Sequence, residues 1–66
     1  MTKAEAIIAM EQGGYKVAHH FFSKLEWIKS IDDDFFIDET GLWLPKEEFW
    51  KCRQGEKWEE GWKIVG

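Results

Sequence analysis

Gly13 and Gly14 stop one periodicity where another begins, and this pair constrains the chain more than any other feature. Before them the apolar residues recur at helical spacing. After them Tyr15, Val17, His19 and Phe21 alternate with Lys16, Ala18, His20 and Phe22, which is the two-faced pattern of a strand. A glycine pair supplies the left-handed residue that ends a helix, so a helix followed directly by a strand is the expected beginning.

Thr2 and Glu5 have capping-box spacing, which starts that helix and sets its span at about residues 3–12. Ala4, Ile7, Ile8 and Met10 form its expected apolar arc, with Glu11 a carboxylate on the stripe that needs water or a nearby cation. After the first strand, Ser23-Lys24-Leu25 reads as a connection and Glu26–Ile31 as a second strand. Asp32-Asp33-Asp34 makes a turn through side-chain bonds to local backbone; the ligand alternation and glycine of a helix-loop-helix calcium site are missing. Phe35–Asp38 and Leu42–Leu44 pair across Glu39-Thr40-Gly41, a three-residue hairpin with Gly at the left-handed position. Turns this tight permit only antiparallel pairing. Pro45 opens a short second helix, with Glu47 four residues before Lys51 and Phe49 beside Cys52, and Trp62–Val65 reads as a last strand. The expectation is one small α+β domain over residues 1–66: an N-terminal helix, an antiparallel β-meander, a short second helix and a C-terminal strand.

A domain of 66 residues buries only about 60% of the surface of its unfolded chain, yet this one carries five Trp, five Phe and one Tyr. So many aromatics overfill a thin core, which predicts rings left at the surface and association of copies as a dimer or tetramer. The net charge of −4 argues against a phosphate-backbone binder, and the basic residues are scattered. A single cysteine, Cys52, leaves no internal disulfide and fits a reducing cytoplasm; as a residue type it reads as a small buried hydrophobe. No segment has the roughly 20 apolar residues of a membrane span, and no signal peptide is recognisable.

No catalytic constellation is visible, so the chain is read as a non-enzyme without a cofactor. Adjacent strand residues face opposite ways, so His19 and His20 are expected not to share a metal. Tryptophan stacks on planar ligands and is enriched at binding hot spots, which makes Trp27, Trp43 and Trp62, with Phe22, His19, His20 and Arg53, the candidate ligand-binding set.

The order Glu5-Ala6-Ile7, a glycine turn, Lys16-Val17, an aromatic at Phe22 and the ending Glu60-Gly61-Trp62-Lys63-Ile64 resembles small phage proteins of the second Thoeris anti-defence family. The likeness lies in the two ends. His19 stands at the family's basic position, Phe22 where a Trp is usual, Gly61 in the closing Asp-Trp pair, and the middle is shorter. The resemblance implies an oligomeric sponge that sequesters a nucleotide-derived immune signal in the cytoplasm of a bacterial host. Two other readings stand beside it. One is an acidic inhibitor of a host or CRISPR nuclease, using Asp32, Asp33, Asp34, Glu39, Glu47 and Glu48 as phosphate mimics; the other is an interaction subunit without a ligand.

Overall fold

A computed structural model describes residues 1–66. The first helix, α1, spans Lys3–Gly13, and its expected capping box is present: Thr2 Oγ1 accepts from the Glu5 N–H at 3.1 Å, and the Thr2 N–H donates to the Glu5 carboxylate at 2.8 Å. Gly14 ends it in the left-handed region, with φ 68°. Five strands follow the order of the sequence reading: β1 Lys16–His19, β2 Ile28–Ser30, β3 Phe35–Asp38, β4 Trp43–Pro45 and β5 Trp62–Val65. They form one fully antiparallel sheet in the order β4-β3-β2-β1-β5, with β5 added beside β1 rather than at the meander's end. The second helix, α2, spans Lys46–Lys51, and a 3₁₀ turn covers Glu56–Trp58. No helix is long and apolar enough to cross a membrane.

Both turns of the meander are tied by aspartate. Asp32 Oδ1 accepts from the N–H groups of Asp34 and Phe35, both at 2.8 Å. Asp38 Oδ1 accepts from Thr40 and Leu42, with Gly41 at φ 86° completing the turn. Glu11 finds the cation its position requires, since Lys46 Nζ lies 3.4 Å away, and the same ammonium donates to the Asp32 carbonyl at 2.6 Å. Lys46 thereby fastens α1 and α2 to the Asp32 turn.

The core lies on one side of the sheet. Ala6 and Met10 of α1 and Phe49 of α2 pack on Val17, Ile28, Phe36 and Trp62, which the strand register places on a common face. Several sequence expectations are corrected here. The buried stripe of α1 is Ala6 and Met10, while Ala4 and Ile8 are exposed. Apolar residues surround this helix, so periodicity could not select the face; the Lys3 N–H, bonded to the Glu59 carbonyl, helps to set its rotation. Pro45 closes β4 and stands at the N-cap position of α2, with no capping side-chain bond, one residue before the helix begins. Cys52 is exposed, and the ion pair in the structure is Lys46 with Glu11, not Glu47 with Lys51.

Candidate functional site

The first strand stops at His19, three residues before its expected end, because the chain turns and the Phe22 N–H donates to the His19 carbonyl at 2.8 Å. This turn corrects the expectation that His19 and His20 lie on opposite faces. Their rings stack with centroids 4.5 Å apart. Gly61 makes room for the stack: its φ is 91°, and a Cβ at this position would sit on the His20 ring.

His19 is 2% exposed and fully committed. Its ring packs on Trp58 at 4.4 Å and Trp62 at 4.8 Å. The Glu60 carbonyl can only accept, so Nε2 carries the hydrogen and donates to it at 2.6 Å; the Phe21 N–H can only donate, so Nδ1 accepts at 3.1 Å. These two bonds define a neutral imidazole. Burial, outweighing the Glu60 carbonyl and reinforced by the like charge of His20, pushes its pKa below the ordinary histidine value. A side chain so placed orders the turn and has no nitrogen free for a ligand.

The chain from His20 to Trp27 then rounds the end of the sheet: the Phe22 ring packs on the core, 5.8 Å from Trp62 and 6.4 Å from Phe49, and the rest of the segment passes to the side that faces away from the helices. Between this segment and the strand residues Ala18, Lys63 and Val65 lies a cleft of about 320 Å³. Its walls include His20, Phe22, Lys24, Trp27 and Lys63, with one carboxylate, Glu26. Lys16 Nζ stands 4.5 Å from the centre of the Trp27 ring and adds a third cation beside the cleft. The Glu26 carboxylate accepts from the Ser23 N–H, and Glu39 accepts from the Trp27 N–H, so both help to hold the segment in place. No group of three His, Cys, Asp or Glu side chains converges as a metal would require.

Of the seven candidate residues, His19, His20, Phe22 and Trp27 border this cleft. The other three lie elsewhere. Trp62 is a core residue whose indole N–H donates to the Trp58 carbonyl at 2.6 Å. Arg53 sits with its guanidinium 4.0 Å from the centre of the Phe49 ring and donates to the Phe49 carbonyl, while its Nε is buried without a partner. A second hollow of about 230 Å³ beside it is lined by Leu44, Pro45, Glu48, Phe49 and Cys52 as well. Trp43 is on β4, packed against Phe35 at 5.5 Å. Sequence reasoning missed Lys16, Lys24 and Lys63. For Lys16 and Lys63 the signal was available, because each alternates with a core residue and so faces away from the helices.

The triple-aspartate turn and the acidic start of α2 lie at the end of the sheet opposite the cleft. The strand register puts the segment 20–27 and the Glu39-Thr40-Gly41 turn at one end, and the Asp32-Asp33-Asp34 turn and the start of α2 at the other. The basic and aromatic cleft therefore lies away from the three aspartates, Glu47 and Glu48. Comparison with protein-family models, curated proteins and solved structures finds no match to this chain.

Proposed function

We propose that this chain is a non-catalytic binding domain that sequesters a nucleotide-like anionic small molecule in the cleft under segment 20–27. Its biological role, on this reading, is that of a phage counter-defence sponge in a bacterial cytoplasm. The observation that carries the reading is the cleft wall, where Trp27, Lys24, Lys63 and His20 put a planar ring beside cations in an otherwise acidic chain. Stacking on one aromatic contributes roughly 1–3 kcal/mol per base, and the lysines offer phosphate contacts. A volume of about 320 Å³ falls at the small end of the roughly 300–1,000 Å³ range of ligand pockets. Association of copies belongs to the same reading, supported by Phe21, Leu25 and Leu42, all exposed at the cleft end of the sheet, with Leu25 at 80%.

Calorimetry against a panel of cyclic nucleotides and ADP-ribose relatives is the test, with Lys24→Glu and Lys63→Glu as cleft variants. Binding of at least one nucleotide, weakened about tenfold or more by either variant, is the expected result. A panel without heat or thermal shift overturns it. One observation favours the inhibitor reading: Asp33, Asp34, Glu47 and Glu48 are all exposed at the opposite end. Stoichiometric co-purification of a host nuclease, abolished by Asp33→Lys with Asp34→Lys and unaffected by Lys24→Glu, would install that reading instead.

A further inference from the structure

Both helices pack on the same side of the sheet; the other side carries no helix, and segment 20–27 borders it only around Ala18, Lys63 and Val65, where Ala18 is 5% exposed. On that open side the register aligns Lys29 with Ile37 and Trp43, Phe35 with Pro45, Lys16 with Val65, and Ala18 with Lys63. Trp27 joins this side through its contact with Lys16. The result is an aromatic part made by Trp27, just before β2, Phe35 on β3 and Trp43 on β4, and a cationic part on β2, β1 and β5, made by Lys29, Lys16 and Lys63. No strand residue of this side is a carboxylate, although the chain as a whole carries −4. Glu26 and Glu39 stand at its loop end, engaged with backbone N–H groups.

We infer that this open sheet face is a platform for single-stranded nucleic acid, a site that extends well beyond the cleft and is independent of it at Lys29, Phe35 and Trp43. Charge selects the occupant. A second copy docked face to face would bring two sets of three lysines together, whereas a polyanion neutralises them. Reach selects a polymer. Four strand spacings of roughly 4.8 Å separate β4 from β5, so about 19 Å lies between the Trp43 and Lys63 strands, more than one nucleotide covers. The rings select a single strand, because only unpaired bases offer open faces to Trp43 and Phe35, while a duplex keeps its bases stacked on one another.

The experiment is fluorescence anisotropy of labelled oligothymidine and oligouridine of about 12 nucleotides, titrated with the full chain across a salt series. Three phosphate contacts predict a slope of log K on log salt of about −2, and Lys29→Glu, outside the cleft, makes it shallower by about 0.7. Trp43→Ala weakens binding about tenfold with the slope unchanged, as loss of one stacked base requires. Lys29→Gln serves where a charge reversal disturbs the fold by circular dichroism. Lys24→Glu, in the cleft segment, separates the two sites: it weakens nucleotide binding about tenfold or more and leaves oligonucleotide binding within about twofold. The inference is overturned if no anisotropy change occurs at low salt. It is equally overturned if Trp43→Ala has no effect, or if heparin, which has no bases, binds as tightly as the oligonucleotide, since the face would then be a general surface for polyanions or acidic proteins.

Discussion

The two faces of the sheet are built from the same strands and are almost equally aromatic, yet one is sealed and the other open. Phe36 and Phe35 are neighbours on β3; Phe36 is 0% exposed beneath the helices, and Phe35 is half-buried against Trp43, itself 57% exposed. Hydrophobicity alone does not separate these faces. On β3 the outward pair, Phe35 and Ile37, is more apolar than the inward pair, Phe36 and Asp38. The lysines decide instead, since β1, β2 and β5 each place one opposite their core residue, and a register that buried three ammonium groups would cost far more than one that exposes two aromatic rings. In a domain too small to hide all its rings, polar veto rather than apolar preference orients the sheet.

The strongest way to break this comparison is to truncate the two phenylalanines separately. Phe36→Ala should cost about 3–5 kcal/mol, which approaches the whole stability of a small domain and leaves the chain largely unfolded. Phe35→Ala should cost far less, because its ring leaves a surface gap rather than a cavity. Urea unfolding of both variants checks the pair, and equal losses would mean that the open face is covered. Next in size is Gly61→Ala, expected to cost about 1–3 kcal/mol: a Cβ there meets the His20 ring, and its φ of 91° strains any side chain. Gly41→Ala, with φ 86° but open space around it, carries the backbone penalty alone and should cost less.

The helix start, the Asp32 turn, the Gly41 hairpin and all five strands were legible because each depends on neighbours in sequence, such as Thr2 with Glu5 and Asp32 with Phe35; the hold of Asp38 on Thr40 and Leu42 was not, since the alternating pattern marks Asp38 only as a strand residue. What else was not legible depends on contacts far apart in the chain. The early end of β1 at His19 is set by Glu60 and Gly61, more than 40 positions away, which take the imidazole and the ring stack. That bend brought His19 and His20 together and turned segment 20–27 round the end of the sheet, so a cleft formed that no local pattern announced. The candidate site was correspondingly half legible. Aromatic and histidine identity pointed to His20 and Trp27, but nothing in the residues themselves told Trp62, spent in the core, and Arg53, held over Phe49, from rings and cations left for a ligand.

Acid should loosen the sealed face before the open one. The folded His19 pKa is depressed by burial, so between the ordinary histidine value near pH 6.5 and its lower folded value the unfolded chain binds a proton that the folded chain refuses. Stability from His19 is therefore complete above about pH 6.5 and declines as pH falls through that window. Protonating Nδ1 would also set a proton against the Phe21 N–H that now donates to it. Glu5, held low by the Thr2 backbone N–H, and Asp38, held low by the Thr40 hydroxyl, extend the decline into the carboxylate range. Thermal melts of the parent chain should fall from neutral pH to pH near 5, and His19→Gln, which cannot titrate, should flatten that first segment. An equal slope in the variant would assign the titration to another group.

The smallest expected effect gives the sharpest test of the open face. Trp43 loses its tilted contact with Phe35 when truncated, an aromatic pair worth about 0.5–1.5 kcal/mol, and part of that is offset by removing an exposed ring from water. Trp43→Ala should therefore change the unfolding free energy by less than about 1 kcal/mol, and the change should be the same in dilute and concentrated protein. Concentration dependence is the informative variable. If copies of the chain met through this face, the variant would lose association energy along with the contact, and its deficit relative to the parent would grow with protein concentration. A constant, small deficit leaves Trp43 and Lys29 free for a partner of opposite charge. A growing one makes the open side an interface between copies and places its lysines against carboxylates of the neighbour.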